Sequence, residues 1–290
     1  RDGRYRHQFE YRLMAGWFSH GELKPPLGAQ VNQAHPLGTG VVFDVLFNEL
    51  TGLPTLILGS SRPRTVTKTG TPTWNSNREG GAFHFAATSD YLTLGTGDTG
   101  LPLGDCTIAV IRRKLDTTLR TGFLFNYANA IASNEVIEAT VPFSDGTVYW
   151  DYGGQSGTHR LSVASLSFST TVPERWIFTA GRLGMAIWQN GVKVASQATA
   201  VTRTADNTVS LYLNQGTFSL GTSGDLQQIN FFQISAVQWS DPLCRWWSAE
   251  PYAALYTDTQ RTYLFLGGGV SPAVTGAPTT YYAQLRQQAA

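Results

Sequence analysis

Two short stretches carry side chains of the types that recognise or cleave a sugar. In VYWDYGG, residues 148–154, strand alternation sends Trp150 and Tyr152 to one face and Tyr149 and Asp151 to the other. Aromatic rings stack on pyranose faces while Asn, Asp and Arg pair with hydroxyls, so Trp150, Asp151, Tyr152, Asn126 and Arg160 form the candidate glycan-binding set, with Trp188 a further ring for either face. A plainer reading stands beside it: in a sheet packed on another sheet one of those faces is core, and aromatic residues are the usual core filling. The second stretch is NEVIEAT, residues 134–140, where Glu135 and Glu138 come nearest to the two carboxylates that flank a scissile glycosidic bond. Three residues apart on a strand they point to opposite faces, so no catalytic pair is expected.

Other chemistry finds little support. The sequence has no GxSxG elbow, no HExxH and no Gly-Lys-Thr phosphate loop. Its five histidines, His7, His20, His35, His84 and His159, are unclustered, and His84 in AFHFAA reads as a solvent-facing or hydrogen-bonded strand residue. Cys106 and Cys244 lack any zinc-type spacing; two buried thiols is one reading, and a disulfide formed in an oxidising compartment is the other. Arg112, Arg113, Lys114 and Arg120 in AVIRRKLDTTLRTG read either as a basic patch for an acidic partner or as a solvated strand end and loop. No aromatic residues interleave with them to stack on bases, and the formal net charge of the chain is +1, so neither nucleic acid nor a membrane surface is expected as a partner.

These side chains need a scaffold, and the composition suggests an all-β one. The chain has 290 residues, 30 of them Gly and 13 Pro, with 12% aromatic and only 14% charged residues, which favours strands and tight turns around a sizeable core. Thirteen short runs with period two or an apolar centre follow one another, among them 41–48 (VVFDVLFN), 82–87, 90–95, 106–114 (CTIAVIRRK), 122–128, 136–143, 147–153, 175–182, 184–190, 192–198 and 229–240. MAIWQNGVKVAS, residues 185–196, contains an Asn-Gly pair suited to a two-residue hairpin turn, and SDGT at 144–147 has similar turn chemistry. The spacing predicts a two-sheet antiparallel jelly-roll sandwich. One helix is expected in SDPLCRWWSAEPYAALY, with Ser240 or Asp241 as cap, Pro242 in the first turn, a stripe of Leu243, Trp246 and Trp247, and Pro251 ending it against the sandwich edge.

The texture of the chain divides it into an extended N-terminal arm (1–38), a sandwich (39–266) and a Gly/Pro-rich linker and tail (267–290). Arms of this composition fray in an isolated monomer unless something holds them. Docking on neighbouring subunits through Trp17, Phe18, Tyr281, Tyr282 and Leu285 is the expectation, with self-packing on the domain as the alternative. No apolar run approaches the ~20 residues that span a bilayer, so a soluble protein is expected. The basic start is not followed by the apolar stretch of a secretory leader, so the expectation is that any leader is already removed or was never made; Met14 and a residue upstream of Arg1 are the two candidate translation starts.

The order of GVVFDVLFNE, GTPTWNSNREGGAFHFAATSDYLTLG, CTIAVIRRK, DGTVYWDYGG, ERWIFTAGRLGMAIWQNGVKVAS and ISAVQWSD…WWSAEPYAALY resembles the concanavalin A-like lectin/glucanase superfamily, in its laminin-G-like branch, over about residues 38–258. The approach VNQAHPLGTGVVFDVLFNE and the exit EPYAALY resemble versions of this domain found in tailed-bacteriophage virion proteins. The resemblance implies a β-sandwich and a non-enzymatic virion structural protein, a capsid decoration or accessory shell component with an outward lectin-like domain. The implied partners are other virion proteins such as the major capsid protein, further copies of the chain, and cell-surface or environmental glycans. The location implied is the particle surface. The alternatives are a secreted carbohydrate-binding module or adhesin, which would be extracellular, and a phage tail or fibre glycan-binding component. The Glu-x-Asp-x-x-Glu strand of the laminarinase-like branch is absent. Where many relatives carry FDGSDDYV this chain has FAATSDYL, so Asp90 remains but Ala86 replaces an acidic residue; a calcium ion would be short of oxygen ligands, and no cofactor is expected.

Overall fold

The structure, a computed structural model, describes residues 24–25, 29–54, 66–94, 101–127, 136–204, 211–215 and 224–255. Trp17, Phe18, Tyr281, Tyr282 and Leu285 lie outside the described residues, as does the tail from 267. What is described forms two antiparallel sheets packed face to face, a β-sandwich of jelly-roll type.

The larger sheet contains β1 (Val41–Val45), β3 (Thr73–Asn77), β4 (Gly80–Phe85), β6 (Cys106–Lys114), β11 (Glu174–Gly181), β12 (Gly184–Gln189), β13 (Val192–Gln197) and β15 (Gln227–Ser235), in the order β13-β12-β11-β6-β15-β4-β3 with β1 also on β15. The smaller contains β2 (Val66–Thr69), β5 (Tyr91–Leu94), β7 (Phe125–Tyr127), β8 (Ile137–Thr140), β9 (Val148–Tyr152), β10 (Arg160–Val163) and β14 (Tyr212–Leu213), in the order β10-β9-β8-β7-β14-β5-β2. The hairpin foreseen at Asn190-Gly191 joins β12 to β13, with φ of 51° and 83° at its two turn residues.

Strands β2 and β3 have no counterpart in the sequence reading. Each is an outermost strand, and VTKT and TWNSN expose most of their side chains, so neither needs the apolar alternation that marks a buried strand. Between them Gly70, at φ 79°, leaves room for Asp90, because a Cβ there would stand 2.2 Å from Asp90 Oδ1. The Asp90 carboxylate accepts the backbone N–H groups of Thr71 (2.8 Å), Ala86 (3.0 Å) and Ala87 (2.9 Å). The acid left over from the FDGSDDYV-like motif is therefore a turn-fixing group whose oxygens face donors, the opposite of a cation ligand.

Two apolar layers hold the sandwich. The first lies between the sheets and includes Phe43, Phe85, Ile108, Val110, Phe125, Trp150, Phe178 and Phe232. The second lies on the outer face of the larger sheet, where Ala109, Ile111, Ile177, Trp188 and Phe231 meet α1 (Asp241–Ala249) through Cys244 and Trp247. Helix α1 thus covers the face of the sheet rather than the sandwich edge foreseen for it. Strands β6 and β15, buried on both sides, accordingly read as nearly continuous apolar runs at their centres.

Residues 29–38 join this second layer: Leu37 is fully buried in it, Ala29 and Val31 pack against it, and Asn32 N donates to Ala254 O at 2.7 Å. This part of the arm therefore packs on its own domain. Further up the chain Lys24 reaches the point where β4 and β1 follow each other along one side of β15, at the irregularity between Ile229 and Phe231. Its ammonium donates to the carbonyls of Phe47 (3.0 Å), Gly81 (2.5 Å) and Asn230 (2.8 Å), satisfying acceptors that the interrupted ladder leaves over.

Candidate glycan-binding face

Register decides which predicted residues meet. In the smaller sheet Tyr212, Asn126, Glu138, Asp151 and Arg160 are successive cross-strand partners on β14, β7, β8, β9 and β10. Their neighbours along each strand, such as Phe125, Ile137, Ala139, Trp150 and Tyr152, belong to the inter-sheet core, so by alternation the row lies on the outer face. Asn126, Asp151 and Arg160 of the sequence-derived set are brought together there, but Asn126 and Asp151 are fully buried and only Arg160 of the three reaches the surface.

Trp150 and Tyr152 are not. Both are fully buried: Trp150 packs on Phe125 and Phe178 and donates its Nε1–H to Thr179 O at 3.0 Å, while the Tyr152 hydroxyl lies 2.9 Å from Pro102 O and 2.6 Å from Gly104 O. Rings held this way cannot stack on an external sugar, and the core reading of that face is the right one for them. Trp188 is also buried, in the layer under α1, with Lys193 and Arg245 over its ring. The rings that the outer face does offer are Tyr149, half-buried beside Asp151, and the half-buried pair Tyr91 and Tyr212, whose centroids are 6.0 Å apart. Tyr149 was legible from alternation in VYWDY; Tyr212 needed the pairing of β14 with β7.

The centre of the row is buried and polar. Arg160 Nε and Nη2 each donate to Asp151 at 2.7 Å in a bidentate pair, and the guanidinium lies 4.8 Å over the Tyr149 ring. Glu138, the residue set aside at first because of its spacing from Glu135, is fully buried; Asn126 Nδ2 donates to its Oε2 at 2.6 Å and Gln155 Nε2 to its Oε1. Glu138 and Asp151 are themselves hydrogen-bonded. Burial, with the negative charge of Asp151 next in importance, pushes the Glu138 carboxyl up to about 8. Burial also raises Asp151, while its pairing with Arg160 opposes the rise. Burial and the adjacent carboxyl charge thus favour one proton on the Glu138–Asp151 pair at neutral pH, with Arg160 holding Asp151 towards its ionised form.

This geometry speaks against hydrolysis. The carboxyls of retaining glycosidases stand about 5–5.5 Å apart and those of inverting enzymes about 6.5–9.5 Å, with the glycosidic bond between them. Here Glu138 and Asp151 are direct cross-strand partners and both are fully buried, not exposed on either side of an open cleft.

Within the basic stretch, Arg112 and Lys114 are buried and so form neither an open basic patch nor a solvated strand end. Arg112 and Lys114 continue the inward parity of Ile108 and Val110, so the inter-sheet core becomes ionic at that end. Arg112 lies 3.5 Å from Glu174 and 3.8 Å from Asp225, Lys114 is 2.6 Å from Asp225, and Arg120 pairs with Asp116 and Asp225 at 2.6 and 3.0 Å. These cations are paired in place and offer no open patch. Cys106 and Cys244 are free thiols, each buried and each pushed up to about 12 by that burial, hence unreactive. His84 Nδ1 is met by Gln228 Nε2 at 3.0 Å and Asn75 Nδ2 at 3.3 Å, a hydrogen-bonded strand residue.

No protein-family model and no curated protein matches the sequence. Solved structures do resemble the fold. The binding domain of Paraclostridial Mosquitocidal Protein 1 superposes with a TM-score of 0.53 at 13% identity, covering 73% of this chain and 52% of that one. A botulinum neurotoxin type C structure, described for cell entry dependent on interaction with two ganglioside molecules, gives 0.52 at 13% identity, over 75% of this chain and 52% of that one. A Trypanosoma rangeli sialidase gives 0.55 at 10% identity, over 86% and 40%. The chain thus spans about half the length of the toxin domains it matches, and what it shares with all three is the β-sandwich fold.

Proposed function

We propose that the chain is a non-enzymatic, lectin-like domain that binds glycans on the outer face of its smaller sheet. One observation carries the reading: the cross-strand row sets Arg160, Tyr212 and the neighbouring Tyr149 together at the surface of one sheet face, with the buried Asn126, Glu138 and Asp151 fixing the guanidinium from within. Rings supply apolar area to a sugar face, and charge-assisted hydrogen bonds fix its hydroxyls. The contact between Glu138 and Asp151 supports binding without turnover, and the ganglioside interaction of the botulinum type C protein supports a glycan as ligand for this architecture. The test is titration of the full chain with a panel of oligosaccharides, alongside Tyr149→Ala and Arg160→Ala. Saturable binding weakened by both substitutions is the expected result; binding unaffected by either would move the site elsewhere.

The carrier we propose is a tailed-bacteriophage particle, on which the domain serves as a capsid decoration or accessory shell protein with the glycan face outward. The support is the resemblance of the approach to β1 and of the exit EPYAALY to virion versions of the domain. Many copies on one particle would turn weak single-site affinity into avidity. Co-sedimentation of the full chain with purified shells tests this, and a chain that stays in the supernatant favours the secreted carbohydrate-binding module.

A further inference from the structure

We propose that Glu138 and Asp151 hold a single proton between them and, by cancelling the charge of Arg160, make the face selective for uncharged, hydroxyl-rich glycans over anionic ones. The inference rests on the glycan-binding reading for its ligand; its proton is argued from the burial and direct cross-strand pairing of the two carboxyls beside a single guanidinium.

The two carboxyls are paired across β8 and β9, both buried; the amide N–H groups that Asn126 and Gln155 give Glu138 favour its ionised form, and burial beside Asp151 outweighs them. Among the described residues the one cation facing the pair is Arg160 from β10; β7 contributes the neutral Asn126, and the other titratable neighbour is the Tyr149 phenol on β9, which donates to Asp145 at 2.7 Å. Two ionised carboxylates against one guanidinium would leave a buried net negative charge. One shared proton leaves Asp151 ionised, Arg160 paired and the assembly neutral.

A second observation points to a ligand. Thr140, on the same face one alternation from Glu138 and opposite Tyr149, is buried with 3% exposure, and its Oγ1 has no hydrogen-bond partner. Arg160 uses Nε and Nη2 on Asp151, leaving Nη1 free at a guanidinium whose side chain is 36% exposed. A hydroxyl donor and acceptor complements both groups. A carboxylated sugar does not gain the bidentate pairing it needs, because Asp151 already occupies that edge of Arg160.

The test reads proton and ligand separately. Carbon-13 NMR of carboxyl-labelled full chain should show Glu138 protonated at pH 7, titrating near pH 8, with Asp151 ionised. Calorimetry should show neutral oligosaccharides binding at least about tenfold more tightly than their sialylated counterparts, with Asp151→Asn closing or reversing that gap and Glu138→Gln preserving it. Two ionised carboxylates at pH 7 overturn the shared proton whatever binds. Equal or tighter binding of sialylated glycans by the wild-type chain overturns the selectivity. Absence of all glycan binding with the proton in place strikes the binding site itself, and so identifies the glycan reading as the one that failed.

Discussion

The two outer faces of the sandwich are built from similar alternating strands and end in opposite states. On the larger sheet the outward residues Ala109, Ile111, Ile177 and Phe231 are apolar, and α1 with residues 29–38 seals them under Trp247 and Leu37. On the smaller sheet the outward residues are Asn126, Glu138, Asp151 and Arg160, hydrogen-bonded to one another across four strands. An apolar face demands a cover because leaving it wet forfeits the free energy of burial. The polar face also buries Asn126, Glu138 and Asp151, but as a hydrogen-bonded row that leaves Arg160 and the half-buried Tyr149 and Tyr212 at the surface, where a ligand can reach them. The difference separates a structural face from a candidate binding face on physical grounds alone.

The strongest way to break the comparison is to damage the sealed face. Trp247→Ala removes a fully buried ring stacked on Phe231 at 6.0 Å, and should lower stability by about 3–5 kcal/mol in urea unfolding. If the two faces are separate, the folded fraction keeps its glycan affinity; a lost affinity would show that they are coupled. Next in size, Asp151→Ala leaves Arg160 without its bidentate partner and should cost about 1.5–3 kcal/mol by the same measurement, together with glycan binding.

A pH profile sharpens the comparison without touching packing. The Glu138 carboxyl is raised in the folded protein from the usual 4.5 to about 8, so between those values the folded chain holds a proton that the unfolded chain has released. Stability from this group is therefore greatest below pH 4.5, falls as pH rises towards 8, and levels off above it. Glu138→Gln should flatten that part of the profile, seen by comparing unfolding midpoints of the two proteins across the range. The smallest expected stability effect is at Tyr149→Ala, a half-exposed ring whose loss should move stability by no more than about 1 kcal/mol while lowering glycan affinity several-fold in calorimetry.

Much of the frame was legible in the residues. Strand β6 falls at Cys106–Lys114, the run foreseen at 106–114, because an apolar centre flanked by charges has few other homes. The Asn-Gly turn and the Pro242-started helix were equally direct, since both rest on backbone rules that hold within a few residues. Strands β2 and β3 were missed because outermost strands carry no periodic apolar signal. The candidate site was half legible: alternation paired Tyr149 with Asp151, but nothing local told which side of VYWDY was core, and the chosen rings, Trp150 and Tyr152, were the buried ones.

Composition, alternation and turn chemistry thus sufficed for an all-β sandwich and for the positions of most of its strands, because each depends on neighbours a few residues apart. The alignment of Asn126, Glu138, Asp151 and Arg160, the sealing of one sheet by α1, and the burial of Arg112 and Lys114 among Glu174 and Asp225 depend on register between strands up to about a hundred residues apart. A shift of one residue in any of those pairings would send every side chain of the strand to the opposite face, so only the tertiary structure could decide which groups meet.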